Sequence, residues 1–456
     1  MGNADDTSRA NDSGAGIERI GIDGEREYLF RLRYTAAEER RYVRLPFEVP
    51  DGIGRIECAY AYPRFENETR PDGFERIEAN IADIGLLDER GKLRGWSGSN
   101  RTEIMVSAET ATPGYRAGEI RPGRWAVALG IYRVRTSVEI ELTVRLLPKR
   151  RVLLAGDLHM HTDNSDGAYP TAKVIEYARA AGLDYIALTD HNNTAQNREI
   201  GRTDGIVVIP GMEYTNYRGH ANLYFPEGPG EFDEDPFSGS FDEMRGVLEL
   251  ARERGAYISL NHPHCSNCPW EFGFDGLPYD MVEVWNGPMK PSEIAAISWW
   301  HDRLSRGVRL PAVGGSDTHR HEPLRSYGVP TTFVHAMSRS RKDILTALLE
   351  GRSFITFTRD GPQLELTVDG ARLGEAAPVS KDLEGEATVR GSRPGDLLAV
   401  FDGAGGRREY TVPYEGEYSV RFPAESGAKF YRIELYRELL PGLRMLCALT
   451  NPVFMA

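Results

Sequence analysis

Two histidines one residue apart, His159 and His161, close an apolar run that begins at Val152. On an extended chain alternate side chains point the same way, so this pair can grip one ion from one side. Asp166 follows five residues on, with Gly167 beside it in a turn. Pro170 is placed to start a helix, with Val174, Ile175, Ala178 and Ala181 on its apolar face and Gly182 to stop it. Tyr185 to Leu188 then reads as a buried strand, and it too ends in ligand chemistry, Asp190-His191. Strand, ligands, helix, strand, ligands is the order of a metal site on the carboxyl ends of parallel strands.

The elements that must position such a site run from 152 to about 357, where apolar runs alternate with helical patterns as in a (β/α) barrel. The patterning predicts strands at Val152–Ala155, Tyr185–Leu188, Ile206–Ile209, Ala221–Tyr224, Tyr257–Leu260, Met281–Val284 and Leu310–Val313, with Thr332–Val334 closing. Helices are expected over 170–181, about 241–254, about 291–306 and 340–350. Chemistry in such barrels sits at the carboxyl ends of strands. Most of these strands end in polar residues (DLHMH, TDHNN, PGMEY, NHPH, WNG, GGSDTH), which points the segments at one pocket. All ten histidines lie between positions 159 and 335, so the middle of the chain holds the chemistry.

This set resembles the PHP family, named for polymerase and histidinol phosphatase. The family's first motif is His-x-His, and its second is an Asp-His after a strand. The resemblance covers roughly residues 150–335 and implies an α/β fold, a PHP-type distorted (β/α)7 barrel. In motif order, His159 and His161 match the first pair and Asp166 the carboxylate or histidine after it. His191 matches the second-motif ligand, Glu213 the carboxylate that bridges two ions, and His220 a histidine shortly after it. His262 in SLNHP matches the next motif, and Asp317 with His319 in GGSDTH the last. The resemblance implies His159, His161, Glu213 and Asp317 at a first ion, Glu213, His220 and His262 at a second, and Asp166, His191 and His319 at a third. Asp166 stands where other branches carry histidine, which leaves third-site occupancy and metal identity open. NHP, GGSDTH and the flanking β modules look most like the branch that includes a bacterial carbaryl hydrolase.

Oxygen ligands mixed with imidazole suit Mn, Fe or Zn, so two to three divalent ions are expected. A bridging carboxylate can hold two ions about 3.5–4 Å apart and bring a shared water to hydroxide near neutral pH. The reaction implied is attack by that hydroxide on phosphorus, with the third ion and an arginine taking the developing charge. Glu213, Asp317, Asp190 and Arg325 are the expected catalytic residues, with Asp190 orienting His191 or shuttling a proton. Arg218, Arg320 and Arg325 lie beside ligands and could hold a phosphate, although loop arginines are mostly solvated.

A chain of 456 residues calls for two or three domains. Residues 1–16 read as a disordered tail, 17–148 as an N-terminal β-sandwich or jelly roll, 149–357 as the barrel and 358–456 as a C-terminal β-sandwich. FDGAGGRREY and VPYEGEYSV read as hairpins in the last of these. The N-terminal module has the strands of a sugar or peptide binder, and equally those of a packing or dimerisation domain. Hydrophobic content of 40% and charged content of 27% are those of a soluble globular protein. No apolar run approaches the roughly 18–20 residues of a membrane span. The polar start has no secretory core, and Gly2 lacks the Ser or Thr at position 6 that myristoylation wants, so a cytoplasmic protein is expected. A net charge of −13 argues against a general nucleic-acid binder, while bound cations would still admit a phosphorylated substrate.

Other motifs read more plainly. Cys265-Ser-Asn-Cys268 invites a zinc knuckle, but no second Cys or His pair follows at zinc-finger spacing. Redox chemistry of the thioredoxin kind wants this motif to open a helix, and Pro269–Gly273 reads as a loop. DNSDG at 163–167 fails the EF-hand register, with Thr162 first and Lys173 twelfth. Glu283 and Asn286 read either as pocket residues or as a buried pair, and Trp299 and Trp300 as core. His264, His301, His321 and His335 are not expected to be ligands, though His321 could line the pocket. The leading function is a metal-dependent phosphoesterase acting on a small phosphate mono- or diester or nucleotide. A carbamate, amide or ester hydrolase is the first alternative, since the same hydroxide attacks a carbonyl carbon. A degenerate metal-binding module with ligand-binding β domains is the second. Specificity is expected in loops 226–240 and 265–280, and oligomeric state is not legible.

Overall fold

The computed structural model describes residues 17–20, 24–201, 203, 205–230, 232, 239–378, 383–425, 427–440 and 442–456. The expected tail, residues 1–16 with Gly2, lies outside them, as do 231 and 233–238 of the first expected specificity loop. The chain is strand-rich with few helices, and it divides into two compact units, Met1–Arg150 and Arg151–Ala456. None of the helices is long and apolar enough to cross a membrane among the described residues.

The first unit holds two antiparallel sheets. One runs in the order Ile17–Ile20, Arg26–Thr35, Ser137–Pro148, Ile53–Ala61, Glu103–Ser107, and the other Arg41–Val49, Gly123–Val134, Asn80–Leu87, Leu93–Ser97. Alternation makes this arrangement: along Arg41–Val49 every second residue from Val43 is buried while its neighbours face out. Phe30, Leu45, Ile56, Ile84, Trp125 and Leu142, drawn from both sheets, join one apolar cluster. Losing a side chain such as Trp125 from it would cost about 3–5 kcal/mol.

The second unit is built on β1 (Val152–Asp157), α1 (Thr171–Ala180), β2 (Tyr185–Leu188), β3 (Val207–Asn216), β4 (Gly219–Tyr224), α2 (Phe241–Glu253), β5 (Tyr257–Leu260), β6 (Met281–Asn286), α3 (Pro291–Ser305), β7 (Ala312–Gly315), β8 (Thr331–Ala336), α4 (Arg341–Leu349) and β9 (Ser353–Thr356). Its sheet runs β7-β6-β5-β4-β3-β2-β1-β8-β9. Pairs β1/β2, β2/β3, β5/β6 and β6/β7 are parallel, whereas β3/β4, β4/β5 and β1/β8 are antiparallel. The helical crossover is thus interrupted at β3–β4, where Tyr217 and Arg218 alone separate the strands. Two residues suffice for a hairpin, while a parallel return needs a dozen or more.

The two ends of the β7–β8 span curl towards each other. The Thr332 hydroxyl donates to the Gly314 carbonyl at 2.8 Å and accepts from its N–H at 2.9 Å. A single parallel bridge, Met160 to Thr318, adds a backbone link at the carboxyl end. Inside the curl, Leu154, Tyr185, Ile209, Tyr224, Met281, Val313 and Val334 share one buried cluster, so the interior is packed with side chains. Helix α2 starts where its sequence says it should: Ser240 and Glu243 form a capping box, worth about 1 kcal/mol.

Beyond β9 the ladder continues without a break into Leu443–Thr450, Phe430–Leu440, Leu397–Asp402 and Arg407–Thr411. A separate three-stranded sheet, Gln363–Val368, Leu383–Ser392 and Gly416–Ala424, shares a core with it and with Phe333 and Phe354 of β8 and β9. The first expected hairpin forms, Leu397–Asp402 with Arg407–Thr411. The second does not: Gly416–Ala424 pairs with Leu383–Ser392 in the other sheet. A turn-like sequence set the expectation there, and the packing of two layers sends the strands apart.

Candidate metal centre

Most candidate ligands follow the carboxyl end of a strand, while Glu213 lies within β3 and His220 near the amino end of the antiparallel β4. Met160, between His159 and His161, packs into the apolar cluster of α1 and β2, and the two imidazoles share the opposite face, both meeting Glu213. The strand-end loops are stitched to one another: Asp317 N–H donates to His159 O at 2.8 Å, His161 N–H to Thr318 O at 3.1 Å, Glu213 N–H to Asp190 O at 3.1 Å, and Asn261 N–H to His220 O at 3.0 Å. His262 and Asp317 adopt left-handed backbone, φ 28° and 53°, a conformation non-glycine residues seldom take and which clusters at functional sites. Gly315 is required by closeness, since a Cβ there would lie 2.4 Å from His159 Cβ and 2.7 Å from Glu283 Oε1.

Glu213, 1% exposed, occupies the middle. Its Oε1 lies 3.3 Å from His159 Nε2, 3.1 Å from His220 Nδ1 and 3.5 Å from His262 Nε2. Its Oε2 lies 2.9 Å from His191 Nδ1 and 3.5 Å from His161 Nε2. Asp317 Oδ1 is 3.1 Å from His161 Nε2 and 3.5 Å from His159 Nε2. Asp166 Oδ1 is 3.1 Å from His319 Nε2 and 3.5 Å from His191 Nε2. His161 stacks between His191 and His319, with ring centroids 4.3 and 4.1 Å away. All nine residues singled out in the sequence therefore meet in one place.

Three groups offer ligand atoms within 4.8 Å of one another: His159, His161 and Asp317; His161, Asp166, His191 and His319; and His220, His262 and Cys268. Several facing atoms are buried without hydrogen-bond geometry to any partner, among them His159 Nε2, His161 Nδ1 and Glu213 Oε2. Buried polar atoms are nearly always satisfied, so three such atoms on converging ligands fit a donor set made for cations. The charge pattern agrees. Burial alone would raise the Glu213 carboxyl, yet His159, His191 and His220 hold it well below the usual range. Burial would depress His262, yet hydrogen bonds with Cys265, Cys268 and Glu213 hold it well above its ordinary value.

Outer partners brace this set. Glu283 Oε1 is 3.0 Å from His159 Nδ1, and Asn261 Nδ2 donates to Glu213 Oε1 at 2.8 Å. Thr215 Oγ1 is 2.7 Å from His191 Nδ1, and the Asp317 carbonyl 3.0 Å from His319 Nδ1. Asp190 faces elsewhere. Its carboxylate accepts from Thr162 N–H at 2.8 Å, Thr162 Oγ1 at 2.9 Å and Ser165 Oγ at 2.6 Å, which pins the loop carrying Asp166. Arg325 Nη1 donates to the Asp317 carbonyl at 3.1 Å and lies 3.4 Å from Asp317 Oδ2. Arg218 is turned away, 3.4 Å from Glu271 and stacked on Phe272, and Arg320 is exposed. His321 sits among Tyr169, Tyr177 and Tyr327. Cys268, Asn261 and Thr215 were not expected at the site. For Cys268 the signal was the Cys265-Ser-Asn-Cys268 motif just after His262, set aside because no second Cys or His pair follows it.

Residues 157–253 match the PHP domain family, a segment that holds six of the nine residues, His159 to His220. A 64-residue stretch is 38% identical to the phosphoribosyl 1,2-cyclic phosphate 1,2-diphosphodiesterase of Eggerthella lenta, covering 13% of this chain and 24% of that protein. The chain thus spans about a quarter of the length of that curated relative. Among solved structures, a two-domain Bacteroides vulgatus protein described as containing a predicted PHP-like metal-dependent phosphoesterase is 20% identical, over 65% of this chain and 95% of that one, with a TM-score of 0.38. An amidohydrolase from Chromobacterium violaceum is 18% identical, over 38% of this chain and 89% of that one, with a TM-score of 0.29.

Proposed function

We propose that this chain is a metal-dependent hydrolase of the PHP type, a phosphoesterase acting on a phosphate mono- or diester of a small molecule or nucleotide. One observation carries the reading: a buried carboxylate, Glu213, stands among five imidazoles brought together from β1, β2, β4 and β5, with its own Oε2 and His159 Nε2 left without hydrogen-bond geometry. The PHP match over residues 157–253 and the relative named as a cyclic-phosphate diesterase support it. The same reading takes the curled sheet as a distorted (β/α)7 barrel and the flanking strands as β-sandwiches.

His159, His161, Glu213 and Asp317 would hold one ion, Glu213, His220 and His262 a second, and Asp166, His191 and His319 a third. Divalent ions so held acidify a water and take up negative charge on a reacting ester. The residues themselves bind and orient. His159 and His161 are fully buried, whereas the Asp166 side chain is 59% exposed, so the site opens towards the Asp166 side and an ester enters there. Arg325, braced on Asp317, offers a guanidinium whose remaining N–H groups suit phosphoryl oxygens. Glu283 and Asn261 keep His159 and Glu213 aimed inward.

The test is turnover of bis-p-nitrophenyl phosphate with Mn(II), expected in the wild type and lost in Glu213→Gln. Turnover confined to naphthyl carbamates or aryl esters would replace this reading with a carbamate or ester hydrolase. Tight metal without turnover, together with glycan or peptide binding by residues 17–148, would replace it with a non-catalytic module.

A further inference from the structure

Cys265 and Cys268 follow His262 in the loop between β5 and β6, and the proposed chemistry uses neither. Both are free and half-buried, with Sγ atoms 3.0 Å apart. Cys268 Sγ is also 3.7 Å from His262 Nδ1, while Nε2 of the same ring faces Glu213 Oε1 at 3.5 Å. For His159, His191 and His319 the outer nitrogen rests on an oxygen: Glu283, Thr215 and the Asp317 carbonyl. At His262 it rests on sulfur. Such outer partners set the tautomer and aim of a ligating imidazole, and sulfur, unlike those oxygens, can be oxidised into a bond with its neighbour.

We propose that Cys265 and Cys268 form a reversible disulfide whose state governs how firmly His262 holds an ion. The inference rests on the metal-centre reading of that histidine. The oxidant is a peroxide. Both S–H bonds break, the sulfurs join, and the two electrons released cleave the peroxide O–O bond, giving two waters from hydrogen peroxide. A dithiol reverses the step by exchange. The two-residue spacing lies in a loop outside any strand or helix, so the sulfurs can close to the roughly 2.05 Å of a disulfide without breaking a ladder. Once joined, neither Cys265 nor Cys268 serves His262 as a thiol partner. His262 would then be the less firmly aimed member of the set that it forms with His220 and Glu213.

The experiment uses the full chain loaded with Zn(II), treated with hydrogen peroxide, passed over a chelator and analysed for metal and by peptide mapping. In the wild type the map is expected to show a Cys265–Cys268 link, with metal affinity reduced about 10–100-fold and restored by dithiothreitol. Cys265→Ser cannot form the link, keeps the Cys268–His262 contact and offers His262 a hydroxyl in place of the Cys265 thiol, so it should retain its metal through the same treatment. A wild-type map without the link, a link with unchanged metal retention, or equal loss in Cys265→Ser would each overturn the proposal. If the reduced wild type binds no metal at all, the metal-centre reading falls and this inference falls with it. Metal bound before oxidation and unaffected by it defeats the inference alone.

Discussion

His159 is held between two carboxylates, with Nδ1 3.0 Å from Glu283 Oε1 and Nε2 3.3 Å from Glu213 Oε1. The Glu283 contact fixes which nitrogen is left for a cation, and His262 N–H donates to the other oxygen of the same Glu283 at 3.2 Å. One side chain from β6 therefore positions two candidate ligands. Glu283→Gln is expected to weaken metal affinity about 10–100-fold, measured by competition with a chromogenic chelator. Unchanged affinity would reduce Glu283 to a packing residue.

Asp190 braces the loop that carries Asp166 through three hydrogen bonds and is fully buried. Asp190→Ala leaves two Thr162 donors and Ser165 without their acceptor and is expected to cost about 2–3 kcal/mol, read as a lower urea midpoint. Full stability with turnover abolished would return Asp190 to the chemistry.

Arg325 is the one arginine of the three expected that stands against a candidate ligand. Arg325→Lys keeps the charge and loses the planar fork. kcat/KM for a phosphodiester should fall about 10²–10³-fold with metal content unchanged. A variant that loses its metal instead would show Arg325 to be a support for Asp317.

His301 on α3 accepts a hydrogen bond from Arg432 Nε at Nδ1, 3.1 Å. Burial, then the adjacent Arg432 charge, pulls its pKa down to about 4. The folded state thus disfavours the protonated ring relative to the unfolded chain, where the ordinary value is about 6.5. The stability at stake is fully present above the unfolded value and is lost as pH falls from there towards about 4. The urea midpoint of the wild type should drop more between pH 7 and pH 4.5 than that of His301→Gln; parallel losses would refute the assignment.

Much of the candidate site was legible because its information is local. A histidine pair at a strand end and an Asp-His after the next strand each depend on neighbours a few residues away. What failed to show was set by distant parts of the chain. Arg218 borders β4 in sequence, yet Phe272 and Glu271 draw it off. Asp190 sits beside His191, yet residues from the β1 loop claim its oxygens. The VPYEGEYSV turn looked like a hairpin until two layers pulled its strands into different sheets.

By itself the sequence determined the types of ligand, their order and the strand ends that carry them, because periodicity and turn chemistry act over a few residues. Only the tertiary structure decided that Glu213 lies at the middle, that Asn261 braces it while Glu283 braces His159, and that a thiol touches His262. Glu283 meets His159 across 124 residues and Asn261 meets Glu213 across 48, and no local pattern encodes a distance across a folded sheet.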